Sequence, residues 1–114
     1  MAIEDYIDVN NGLRRVSGKP RLYAKMLNLF LVGDEFNKFE EAMAEGDLTK
    51  ASDVAHAIKG MTGNMAFTAL FETSASLMVS LKNGERDEET LAKFRDAEVK
   101  TKEYAKQLIE KYTT

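Results

Sequence analysis

The chain has 114 residues, 44% hydrophobic and 31% charged, with a formal net charge of −3, a profile expected of one soluble globular domain spanning 1–114. The acidic balance argues against a nucleic-acid footprint, and no apolar run nears the roughly 20 residues of a membrane span. Zero cysteines exclude disulfides, thiol catalysis and cysteine metal sites, and a single histidine leaves neither a His-rich metal cluster nor a spare member for a hydrolytic triad. The expectation is a cytoplasmic protein with no metal site and no cofactor, whose opening Met1-Ala2-Ile3-Glu4-Asp5 does not read as a signal peptide.

In chain order, Asp8 can cap a short helix holding Val9, Leu13 and Val16, which stops at Ser17-Gly18. Pro20 suits the first turn of the next helix. That helix carries Leu22, Tyr23, Met26, Leu27 and Phe30, then Phe36, Phe39 and Met43, with a kink expected at Gly33. Gly46-Asp47 reads as a stop followed by a cap, opening a helix from about Leu48 to Met65. Phe67, Leu70, Phe71, Ser74, Leu77, Met78 and Leu81 form the stripe of another, ending at Asn83-Gly84. Asp87, with Glu88 and Glu89 in the first turn, starts a last helix striped by Leu91, Phe94, Thr101, Tyr104, Leu108 and Tyr112. No segment alternates like a strand. The expected fold is all-α: an antiparallel up-down four-helix bundle with a short extra N-terminal helix covering one end.

The sole histidine, His56, sits in Ala55-His56-Ala57-Ile58-Lys59-Gly60. At about 100° per residue, Lys59, Gly60 and Gly63 fall within about 60° of it, while Ala51, Val54, Ile58 and Met65 gather on the opposite side. The imidazole is therefore expected at the surface. Two glycines on its face each cost about 1 kcal/mol relative to alanine inside a helix, which makes sense if a partner must approach the backbone there. Lys59 occupies the same surface and can hold an anion carried by the ring.

The run Ala55-His56-Ala57-Ile58-Lys59-Gly60-Met61-Thr62-Gly63-Asn64 resembles the signature of the histidine phosphotransfer (HPt) domain, an apolar or small residue followed by H-x-x-K-G-x-x-small-N. The likeness extends to Ile7-Asp8 with Leu13, to Leu22-Tyr23 through Phe30, and to Ala42 with Gly46-Asp47. The resemblance implies a phosphocarrier intermediate of a two-component phosphorelay rather than an enzyme. His56 would accept a phosphoryl group from a receiver aspartate and pass it to another receiver. Lys59 would stabilise that group, and Gly60, Gly63, Ser52, Asp53 and Asn64 would meet the partner. Implied partners are response-regulator receiver domains, which bring the Mg²⁺, and a hybrid sensor kinase. Imidazole is nucleophilic near neutral pH, and phosphoryl transfer chiefly needs alignment and charge neutralisation.

Two positions depart from the family's pattern. Ala66 stands where a glycine is usual, which makes the turn into the next helix less free. Met78 stands where a Glu or Gln commonly accepts a hydrogen bond from the imidazole, and a thioether is a weak acceptor. Ser74, one turn earlier, or a water is the expected substitute. The alternative function is a degenerate HPt bundle that docks receivers or kinases without phosphorylation; an unrelated four-helix scaffold would leave the glycines beside His56 unexplained.

Overall fold

In the computed structural model, which describes residues 2–114, every regular element among them is helical. A short 3-10 turn at Ile3–Asp5 precedes α1 (Val9–Arg15), α2 (Pro20–Val32), α3 (Glu35–Ala44), α4 (Leu48–Asn64), α5 (Thr68–Lys82) and α6 (Glu88–Thr113). Three of the expected caps are formed: Asp8, Asp47 and Asp87 accept the backbone N–H of Asn11, Lys50 and Thr90 at 3.2, 3.0 and 3.1 Å. The Asp87 carboxyl is held below its ordinary range, chiefly by the backbone N–H of Thr90.

The kinked helix expected across Gly33 is two helices. α2 ends at Val32, Gly33 takes an extended conformation (φ −66°, ψ 157°), and α3 restarts after Asp34, whose Oδ1 accepts from Asn37 Nδ2 at 3.1 Å. Glycine disfavours helix, and aspartate satisfies local donors better outside a helix than within it. The apolar spacing alone did not reveal the break, because Phe36, Phe39 and Met43 bury their faces whether or not the backbone is continuous.

α4 packs against α3 and α5, while α6 packs against α2 and α5. The interior is dominated by Tyr23, Leu27, Phe30, Phe39, Ile58, Phe67, Leu70, Leu77, Leu81, Leu91 and Phe94. Ring contacts link helices into one aromatic core, with centroids of 4.6 Å for Phe30–Phe67, 5.9 Å for Phe30–Phe36, 5.8 Å for Phe36–Phe94 and 5.0 Å for Phe39–Phe94. Leu22 and Phe71, both placed in apolar stripes from sequence, are 43% and 38% exposed. α1 is fitted closely to α2: a Cβ on Gly12 would lie 2.6 Å from the Tyr23 hydroxyl oxygen. Burial pushes that phenol up to about 12, with smaller contributions from Tyr112 and Asp8.

The N-terminal segment is tied to the turn between α4 and α5. Asp8 donates its N–H to the Ala66 carbonyl at 2.9 Å, and Thr68 Oγ1 donates to the Asp5 carbonyl at 3.3 Å. That turn is a Schellman arrangement, with Phe67 N–H bonded to Thr62 O at 2.9 Å and Ala66 N–H to Gly63 O at 3.3 Å. Ala66 holds its left-handed position with φ 59°, where Gly46 and Gly84 serve at the ends of α3 and α5. An L-residue with a Cβ pays roughly 1–2 kcal/mol for that conformation.

Candidate functional site

α4 buries Ala51, Ala55, Ile58 and Thr62 completely, and this spacing points the other side of the helix outward. His56, Asp53, Gly60 and Asn64 are exposed there, with Lys59 half-buried. The imidazole is thus on the face anticipated from the helical wheel. Val54 and Met65 fall on the inner side, half-buried and 7% exposed respectively.

The ring is contacted from α5. His56 Nδ1 lies 2.9 Å from Met78 Sδ. Met78 is half-buried and its backbone is pinned, because Ser52 Oγ donates to the Met78 carbonyl at 2.7 Å. Ser52, expected to face a partner, is 5% exposed and commits its hydroxyl to α5, so it ties the two helices together. Ser74 is unsuited to stand in as the ring's partner. It is fully buried and donates back to the carbonyls of Leu70 and Phe71 at 2.6 and 3.1 Å.

The two glycines beside His56 differ. A Cβ on Gly60 would meet nothing within 4 Å, so its absence leaves open surface one turn from the ring. A Cβ on Gly63 would stand 3.0 and 3.1 Å from Phe71 Cε1 and Cδ1. Gly63 therefore makes room for an aromatic ring of its own chain, while it also lines the cleft beside His56. Over that ring lies the Lys59 ammonium, 5.9 Å from the centroid. Lys59 is held by Phe71 on the same outer surface as His56.

Two shallow clefts meet at the imidazole. One, of about 280 Å³, is lined by His56, Lys59, Gly60, Gly63, Asn64 and Phe71. The other, of about 200 Å³, is lined by Thr49, Ser52, Asp53, His56, Met78 and Lys82. A roomier groove of about 620 Å³ between α2 and α6 contains none of these residues and no nucleophilic imidazole. Phe71, Thr49 and Lys82 were missed from sequence. Phe71 was hidden in the apolar stripe of α5, although seven residues at about 100° each bring it within about 20° of Met78 on the helix circumference. That shared edge is the signal that could have found it.

The arrangement is a nucleophilic imidazole displayed on a helix, steadied on one nitrogen, with a cation on its flank and bare backbone one turn away. The family model for the Hpt domain matches residues 26–110, and the chain belongs to that family. Its members are histidine phosphotransfer proteins of phosphorelays, phosphocarriers that work with receiver domains and kinases and are not enzymes in the ordinary sense. No curated protein and no solved structure matches the chain. Among the described residues, no helix is long and apolar enough to cross a membrane.

Proposed function

We propose that this chain, as a single domain over 1–114 built on an up-down four-helix bundle, is an active phosphocarrier with His56 as phosphoacceptor. The observation that carries the reading is the exposed imidazole whose Nδ1 rests on Met78 Sδ while Lys59 shares its face. With the proton on Nδ1, the lone pair on Nε2 is free to attack. The N–P bond forms at Nε2 as the P–O bond to the receiver's aspartate breaks, and the pair of that bond leaves with the carboxylate. Transfer onward to a second receiver is the same exchange reversed.

Each partner has a part in this chemistry. Lys59 offsets the phosphoryl charge, at a half-buried position where water screens it less than at a fully exposed one. The open backbone at Gly60, with Asn64 and Asp53 around it, receives the receiver, which brings its own divalent cation. A hybrid sensor kinase upstream and a cytoplasmic setting complete the proposal.

Incubation with a panel of phosphorylated receivers tests it. Acid-labile, alkali-stable phosphate is expected on the wild-type chain and absent from His56→Gln. Saturable receiver binding with no phosphate on His56 from any donor would overturn the proposal in favour of a phosphorylation-independent docking module.

A further inference from the structure

The sulfur beside His56 is a reactive group that neither makes nor breaks a bond in phosphoryl transfer. Met78 Sδ touches His56 Nδ1 at 2.9 Å, is half-buried, and borders the cleft of about 200 Å³ shared with Thr49, Asp53 and Lys82. Met43 and Met65, by contrast, are 4% and 7% exposed in the core. A half-buried thioether on the wall of an open cleft is within reach of small oxidants.

We propose that Met78 is an oxidative modification site, whose conversion to the sulfoxide gives the His56 ring a strong hydrogen-bond acceptor and thereby retunes the phosphoacceptor. The co-reactant is a peroxide. One peroxide oxygen is transferred to sulfur as the O–O bond breaks, sulfur is oxidised by two electrons, and the peroxide is reduced to water or an alcohol. The S=O oxygen carries a strong partial negative charge, whereas the thioether accepts weakly. Placed against Nδ1, it favours the tautomer with the proton on Nδ1 and the lone pair on Nε2. Methionine sulfoxide reductases remove the oxygen again, so the change is reversible.

The consequence for transfer rests on His56 being the phosphoacceptor; the consequence for the ring does not. Because His56 is the sole histidine, ¹⁵N spectra of the imidazole report its tautomer without overlap. The folded chain is treated with hydrogen peroxide, Met78 oxidation is followed by peptide mass spectrometry, and the imidazole spectrum and phosphohistidine half-life are recorded. Sulfoxidation should shift the tautomer ratio about fivefold toward Nδ1–H, the ratio that one ordinary hydrogen bond sustains. The half-life should shorten by a similar factor, because a proton held on Nδ1 makes the phosphorylated ring a better leaving group.

Met78→Leu, which keeps the volume and removes the sulfur, should show no peroxide response, although Met26 and Met61 remain oxidisable. Met78→Gln should begin in the shifted state and stay there. The proposal is overturned if Met78 resists peroxide at doses that oxidise Met26 and Met61, if its sulfoxide leaves the tautomer ratio unchanged, or if Met78→Leu responds as the parent does. A shifted tautomer in a chain that no receiver phosphorylates would support the modification site while refuting the phosphocarrier reading.

Discussion

The two flanks of His56 are built on opposite plans. Toward the start of α4 the ring meets the body of the bundle, where Ser52 is 5% exposed and hydrogen-bonded to Met78 O, and Met78 Sδ rests on Nδ1. Toward the end of α4 the surface is open: nothing occupies the space where a Cβ on Gly60 would sit, and Lys59 stretches over Phe71. The ring is thus packed on one flank by its own chain and left bare on the other. Substitutions on the first flank should act on the ring's chemistry, and those on the second on encounter and charge.

The largest expected effect separates the two glycines. Gly60→Leu should lower transfer from a receiver by about a hundredfold or more, since displacing the donor aspartate by even 1 Å is that costly. Its stability should hold or rise, because leucine is the better helix former. Gly63→Leu should instead destabilise the fold by about 1–3 kcal/mol through collision with Phe71. Chemical denaturation beside transfer kinetics reads both, and a Gly60→Leu chain with normal transfer would erase the distinction between the flanks.

Next in size is the cation. Lys59→Ala should slow phosphoryl acceptance about tenfold, less than the loss of an enclosed oxyanion donor because the site is open to water. Its stability should stay within about 0.5 kcal/mol of the parent. Rapid-quench measurements showing an unchanged rate would remove Lys59 from the chemistry. On the packed flank, Met78→Glu should speed phosphoryl acceptance about fivefold, because a strong acceptor for Nδ1–H leaves the Nε2 lone pair free to attack. Identical acceptance rates in parent and variant would mean that ring orientation is set elsewhere.

The smallest effect on transfer is expected at Ala66, at the foot of α4. Ala66→Gly relieves a left-handed alanine (φ 59°) and should add about 1 kcal/mol of stability, a rise of roughly 5 °C in Tm. Transfer should be unchanged. A lower Tm would show that the alanine methyl, 8% exposed with its residue, contributes more packing than the backbone conformation costs.

What could be read from sequence follows from how local each feature is. Asp8, Asp47 and Asp87 announce helix starts because a cap involves residues three apart, and His56 was placed outside by the arc of its own helix. Gly33 was misread because a kink and a break leave the same apolar spacing around them. Gly60 and Gly63 look alike on a wheel, and the Phe71 ring that distinguishes them arrives from another helix. Ser52 was assigned outward for the same reason: the carbonyl that claims its hydroxyl belongs to Met78, 26 residues later.

α4 and α5 form the most extensively packed helix pair, and the turn between them spans only residues 65–67. His56 and its Met78 contact are 22 residues apart, both within this hairpin. A unit of such short sequence separation loses little chain entropy on closing, so its contacts are expected to form before those that bring α6 back onto α2. The same locality governs partial opening. Fraying of the last turns of α6 from α2 would leave the imidazole, its sulfur neighbour and the Lys59–Phe71 pair assembled, since none of these contacts involves α6.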